Sequence, residues 1–148
     1  MIPQELFLSH SSVDRNFVDR LTEVLRKHGV NFWYSPVNIV GAQQWHDEIG
    51  AALRRCDSFL VVLSPAAVHS LWVKRELCYA LEQRRYNNQI TPVLFQSCDY
   101  EQLSWTLSAL QLVNFTEGFD KGCKELLRVW GIDYSPLTGF TFLVQSMS

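Results

Sequence analysis

One carboxylate stands apart from the other acidic residues of the sequence. Trp72, Glu76 and Tyr79 follow one another at i, i+4 and i+7, so on a helix they share a face turned away from the apolar stripe of Val73, Leu77 and Leu81. A carboxylate between aromatic neighbours, near the ligand-binding edge of a sheet, can hold ribose hydroxyls and stabilise an oxocarbenium-like centre. The same spacing suits a solvated helix glutamate paired with Lys74 or Arg75, and spacing alone leaves both readings open. His10, at the end of a short apolar segment, can hydrogen-bond a ligand or exchange a proton. With no partner visible in sequence, it equally reads as a local structural or surface residue. Trp33 and Trp45 can wall a planar ring, or simply belong to the core.

Other chemistries lack their residues. No G-x-G-x-x-G or G-x-x-x-x-G-K-[ST] pattern occurs, which argues against a dinucleotide-binding dehydrogenase and a P-loop nucleotidase. No serine sits in a G-x-S-x-G elbow. Cys56, Cys78, Cys98 and Cys123 lie 22, 20 and 25 residues apart, a spacing that matches neither a metal nor a redox motif, so no metal is expected. Isolated thiols of this kind read as small core residues of a reducing compartment, and a cytoplasmic location is expected. Thirteen basic side chains against fifteen acidic ones give a formal charge of −2, and the basic residues are scattered, so no nucleic-acid partner is expected. Residues 1–15 lack a basic start and an apolar run, and the longest strongly apolar run, residues 59–63, is far too short for a bilayer. No membrane association is expected.

The elements that must position Glu76 and His10 are readable from periodicity. The chain has 148 residues, enough for one domain that buries about two-thirds of its unfolded surface without a staple. Residues 5–9 read as a first strand. Phe17, Val18, Leu21, Val24 and Leu25 recur with helical spacing, with Gly29 placed to cap that helix. Residues 30–34 form a second strand, and residues 35–44 a loop. Trp45, Ile49, Ala52, Leu53 and Cys56 make the next helical stripe. Residues 59–63 are continuously apolar, as expected of a central parallel strand covered on both faces. Ser64 and Pro65 suit the start of a short helix, and a longer helix is expected over 70–85. Residues 90–95 form a fourth strand, whose Pro92 suggests an early or edge position. A short helix near 103–110, a strand at 112–115 and a helix at 121–130 follow. Five strands alternating with helices imply an open α/β sheet with right-handed crossovers, and sites in such sheets lie beyond the carboxyl ends of the strands. Residues 135–148 fall outside this count, and no internal repeat is present.

The order of these segments resembles the Toll/interleukin-1 receptor (TIR) domain family. Its first box is similar to F-L-S-H-S-S-V-D at 7–14. Its second strand and BB loop are similar to F-W-Y-S-P-V-N-I-V-G at 32–41, followed by Trp45 and Ile49. Its later elements are similar to C-D-S-F-L-V-V-L-S at 56–64 and to Ser70, Trp72 and Glu76 in S-x-W-x-x-x-E. The resemblance covers residues 5 to about 131 and implies a flavodoxin-like three-layer sandwich with a central five-stranded parallel sheet. It divides the chain into a TIR domain over 1–134 and a C-terminal extension over 135–148.

The resemblance also implies an activity. Some TIR domains are adaptors that assemble with other TIR domains, and others cleave the N-glycosidic bond of NAD+. The enzymatic members carry a glutamate where this chain has Glu76, so Glu76 is expected to contact the nicotinamide ribose as the catalytic residue. Ser9, His10 and Ser11 are expected near the dinucleotide, Trp45 in the pocket lining, and Ser70 and Trp72 flanking Glu76. NAD+ is then a substrate, and no bound cofactor is expected. Ser35 stands where many microbial members have aspartate, which removes a carboxylate that assists substrate binding. Homotypic association, a separately encoded sensor or effector, and a place in bacterial antiviral signalling follow from the same analogy. The competing expectation is a non-enzymatic TIR adaptor, or a protein that interferes with a host's TIR assembly. In that case the loop at 36–41, not Glu76, controls function. A flavodoxin-like redox or phosphoacceptor domain needs a phosphate-binding first loop or an acidic pocket, for which Ser9, Ser12 and Asp14 are a thin substitute.

Overall fold

The structure, a computed structural model, describes residues 1–35 and 42–136, the first four residues of the second helix as backbone only. Its elements in chain order are β1 (Leu6–Ser9), α1 (Arg15–Lys27), β2 (Phe32–Trp33), α2 (Ala42–Arg55), β3 (Ser58–Leu63), α3 (Pro65–Val68), α4 (Leu71–Glu82), β4 (Ile90–Leu94), β5 (Val113–Asn114) and α5 (Phe119–Val129), with short 3-10 turns between. The strands form one sheet in the order β2-β1-β3-β4-β5, every pair parallel. This is the flavodoxin-like order expected from the sequence.

The layering follows from the period of two along each strand. Leu6, Leu8, Leu60, Val62 and Val93 face one side and pack with Val18, Leu21 and Leu25 of α1 and Leu126 and Leu127 of α5. Phe7, Phe59, Val61 and Leu63 face the other side and pack with Ile49, Ala52 and Leu53 of α2 and Val73, Leu77 and Ala80 of α4. All six residues of β3 are buried, which explains why its sequence is apolar without alternation. The helices are delimited as expected: Gly29 lies beyond α1 at φ 76°, and Ser64 caps α3 ahead of Pro65.

Two boundaries differ from the sequence reading. The long helix stops at Glu82 rather than near Arg85, because Gln83 is extended and residues 84–86 turn Tyr86 into the core. There the Tyr86 hydroxyl donates to the Leu53 carbonyl at 2.5 Å. Pro92 sits in the middle of β4, and β4 is an internal strand between β3 and β5. The backbone explains how proline is tolerated. Phe59 N–H donates to Gln89 O and Phe95 N–H to Leu63 O, so the odd-numbered residues of this segment bond β3. Even-numbered Pro92 therefore turns its nitrogen toward the β5 side, where pairing begins only opposite Val93 and no ladder bond is lost.

The chain leaves the domain along the end of α1, where Ser135 N–H donates to His28 Nε2 at 2.9 Å and Lys27 Nζ donates to Pro136 O at 3.2 Å. The rest of the expected extension, residues 137–148, lies outside the described residues. Among the described residues no helix is long and apolar enough to cross a membrane.

The packing of α5 makes a sharp stability prediction. A Cβ on Gly122 would lie 2.4 Å from Cδ2 of Phe115, whose ring is held by Phe17 and Phe119 at centroid distances of 5.3 and 5.9 Å. Gly122→Ala gains helix propensity yet is expected to destabilise the fold by about 1–3 kcal/mol through overpacking. Urea unfolding should show a lower midpoint at unchanged slope; an equal or higher midpoint would mean that the ring moves aside freely.

Candidate active site

The strand order reverses between β1 and β3, and a crevice opens beyond the carboxyl ends of strands at such a switch point. Ser9 is the last residue of β1 and pairs with Val61 of β3. It is buried, and its hydroxyl donates to Glu76 Oε1 at 2.6 Å. Glu76 projects from the middle of α4 and is only 6% exposed. The sequence alternative of a solvated glutamate paired with Lys74 or Arg75 is therefore excluded. Burial pushes the Glu76 carboxyl up to about 7, and the bond from Ser9 opposes part of that shift. Its other oxygen, Oε2, accepts no hydrogen bond from the described residues.

Glu76 lines a cavity of about 260 Å³ between α2 and α4. His46, Gly50 and Arg54 contribute from α2, and Trp72, Arg75 and Tyr79 join Glu76 from α4. The rings of His46 and Trp72 meet at 5.9 Å, and the Arg75 guanidinium lies 5.4 Å from the Trp72 ring centre. Whole-ligand pockets run from about 300 to 1,000 Å³, so this cavity suits a ring and a sugar better than an entire dinucleotide. A buried carboxylate with one oxygen held and the other unclaimed, beside aromatic walls, can stabilise a cation formed within reach of it. Among the described residues no three of His, Cys, Asp and Glu come together as metal ligands.

The expected site residues separate into two groups. Trp72 and Glu76 line the cavity, and buried Ser9 is tied to it only through its bond to Glu76. His10 follows Ser9, with its ring 5.9 Å from that of Tyr34. Burial, and secondarily the charge of Arg15, hold His10 down at about 4, so it is neutral at pH 7 and not a general acid there. Ser11 and Ser70 act as helix caps, their hydroxyls accepting from Val13 N–H at 3.3 Å and Val73 N–H at 3.2 Å. The side chain of Trp45 and the loop at 36–41 lie outside the described residues. Trp33, the other wall considered, packs against Phe7 at 5.2 Å.

Sequence reasoning missed the α2 wall, although His46, Gly50 and Arg54 recur at i, i+4 and i+8 beside the apolar stripe. It also missed a second buried carboxylate. Asp14 accepts from the Ser64 hydroxyl at 2.5 Å, and the Ser64 oxygen accepts in turn from Ala67 N–H. Burial raises the Asp14 carboxyl, and the serine bond opposes the rise. This closed pair ties the turn after β1 to the end of β3.

Fold and site together define a flavodoxin-like α/β domain with a buried glutamate over the β1 end. A family model of the TIR domain matches residues 6–127, and the chain belongs to the TIR domain family. It is similar to a 2' cyclic ADP-D-ribose synthase of Acinetobacter baumannii, 35% identical over 74 residues, which are 49% of this chain and 28% of that protein. It is also similar to a 2' cyclic ADP-D-ribose synthase of Bacteroides thetaiotaomicron, 30% identical over 74 residues, 49% of this chain and 26% of that protein. The match thus spans little more than a quarter of either relative. Among solved structures, the TIR domain of a Toll-related receptor from Hydra magnipapillata superposes with a TM-score of 0.62 at 17% identity, covering 83% of this chain and 87% of that one. The TIR domains of the activated Roq1 resistosome superpose with a TM-score of 0.52 at 19% identity, covering 90% and 87%. At these identities the two structures speak for the fold.

The burial of Glu76 fixes the sign of a pH effect on stability. Its carboxyl is raised from 4.5 to about 7 in the folded chain, so between those values the native state holds more proton than the unfolded state. Stability from this group is present below pH 4.5 and lost as pH rises through 7, by roughly 3 kcal/mol in all. Glu76→Gln removes the loss, whereas His10 titrates alike in both proteins. Thermal unfolding should therefore show a stability gain of the variant over wild type that widens from pH 5 to pH 8. A gap that is flat with pH would contradict the buried-carboxylate assignment.

Proposed function

We propose that this TIR domain cleaves the bond between nicotinamide and ribose in NAD+, releasing nicotinamide and either ADP-ribose or a cyclic isomer of ADP-ribose. The observation that carries this reading is the Glu76 carboxylate, buried at the cavity, held through one oxygen by Ser9 and unclaimed at the other. The names of the two curated relatives support it.

The chemistry asks for few groups. Nicotinamide bound to ribose is already cationic, and when the C–N bond breaks the electron pair leaves with it as neutral nicotinamide. Positive charge moves to the ribose, and a carboxylate fixed beside that carbon favours the transition state over the ground state. Burial favours the protonated form of Glu76 in the empty site, and a cationic substrate beside it favours the ionised form. Ser9 fixes the orientation of the carboxylate from the end of β1. Trp72 and His46 supply ring faces for the planar base. The cation is then taken either by water, which gives ADP-ribose, or by an oxygen or nitrogen of the same molecule, which gives a product one water lighter. Copies of the domain assembling with one another, a separately encoded sensor, bacterial antiviral signalling and a cytoplasmic setting all belong to this proposal by family analogy.

Chromatography with mass detection tests it directly on NAD+ incubated with concentrated protein. Wild type is expected to release nicotinamide and Glu76→Gln to lose at least two orders of magnitude in rate, in line with about 3–4 kcal/mol for one electrostatic group. The mass of the second product separates hydrolysis from cyclisation. The rate should rise with pH through about 7 as Glu76 ionises. Ser9→Ala, which removes the bond that lowers the carboxyl, should move that limb to higher pH. If wild type consumes no NAD+ at any concentration while Glu76→Gln retains partner binding, the adaptor reading replaces this one.

A further inference from the structure

We infer that Arg54 and Arg75 form an anchor for the substrate's diphosphate, gripping it from the two walls of the groove while Glu76 faces the ribose. The identity of the ligand rests on the reading above; the choice of residues rests on geometry. The His46 and Trp72 rings meet across the groove, and one helical turn further along each helix stand Gly50 and Glu76. Gly50 lies inside α2, where glycine weakens a helix, and its backbone is not in the positive-φ region that would call for glycine.

Space is the remaining reason for it. A Cβ at Gly50 would lie 3.3 Å from Nη1 and 3.8 Å from Nη2 of Arg54. The Arg54 guanidinium is therefore folded back over the preceding turn and lines the cavity at the level of Gly50. Arg75 lines the same cavity from α4, beside the Trp72 ring. Both arginines are exposed, so they sit at the mouth of the groove while Glu76 is covered. Arg15 and Arg55 have carboxylate partners at 3.2 and 2.7 Å, but neither Arg54 nor Arg75 forms an ion pair among the described residues.

Two uncompensated guanidinium forks on facing walls match the oxygens of a diphosphate, which accepts bidentate, charge-assisted hydrogen bonds. A nicotinamide riboside carries no such group and a dinucleotide does. The small cavity then takes the reactive nicotinamide ribose, and the diphosphate lies across its mouth. The arginines are binding residues that set dinucleotide over nucleoside, separate from the glycosidic chemistry at Glu76.

Calorimetric titration of the full chain with ADP-ribose and with inorganic pyrophosphate is the test, run beside NAD+ and nicotinamide riboside kinetics. Arg54→Ala and Arg75→Ala should each weaken ADP-ribose binding about tenfold. Each should raise KM for NAD+ to a similar degree, and by a clearly larger factor than it raises KM for nicotinamide riboside. Gly50→Ala guards against loss by misfolding, because alanine strengthens the helix while its Cβ crowds the guanidinium. It should melt higher than wild type and bind ADP-ribose several-fold more weakly. Wild-type affinity in either arginine variant, or in Gly50→Ala, overturns the assignment. If wild type binds ADP-ribose through both arginines yet never consumes NAD+, the enzymatic reading falls and this one stands. If NAD+ is consumed with KM unaltered in both arginine variants, the reverse holds.

Discussion

The hydrogen bond from Ser9 to Glu76 spans 67 residues of sequence and joins the end of the inner strand β1 to the middle of α4. Everything that can act on a ligand here is arranged about it. A sheet buried on both faces leaves its polar atoms one outlet, the carboxyl ends of the strands, and the reversal of strand order between β1 and β3 opens that outlet into a crevice. Moving Glu76 into that crevice without a partner would carry the full desolvation cost of a buried carboxylate. The serine offsets part of it, and what remains appears as the raised affinity of the carboxyl for a proton.

A second pair repeats the pattern with a different outcome. Ser64, just beyond β3, holds Asp14 from the turn after β1, so each strand-end serine secures a carboxylate contributed by another element. Asp14 is covered and adds rigidity at the switch point. Glu76 has the cavity in front of it and keeps one oxygen uncommitted. Two buried carboxylates thus differ in what lies on their open side, Asp14 being closed off by Ser64 and Glu76 facing the cavity.

Much of this was legible in the sequence, because the strong signals are those in which one local pattern and one global need agree. The apolar run of β3, the S-P start of α3 and the glycine after α1 all had a single physical meaning once alternation of strands and helices was recognised. Pro92 misled because the argument from proline assumes two bonded neighbours along the whole strand, whereas β5 pairs with only the last part of β4. The end of α4 was misjudged because burial of Tyr86 outweighed the helical preference of residues 83–85. Ser11 and Ser70 were legible as polar residues near the crevice, but capping is local and cannot be told from ligand contact by position alone. The α2 wall was hidden for another reason: a glycine and an exposed arginine, Gly50 and Arg54, mean nothing until the helix that faces them is in place. Glu76 itself could be singled out by spacing, but whether it was buried or solvated depended on Ser9, far away in the chain.

The two edge strands of the sheet, Phe32–Trp33 and Val113–Asn114, are each two residues long. An edge that short offers almost no row of unpaired backbone groups to a second chain. Among the described residues neither edge of the sheet offers much for a second molecule to extend, which would leave contacts between copies to helix faces and loops. Those are the same surfaces that border the groove, so any packing of one domain against another on that side also governs what can reach Glu76.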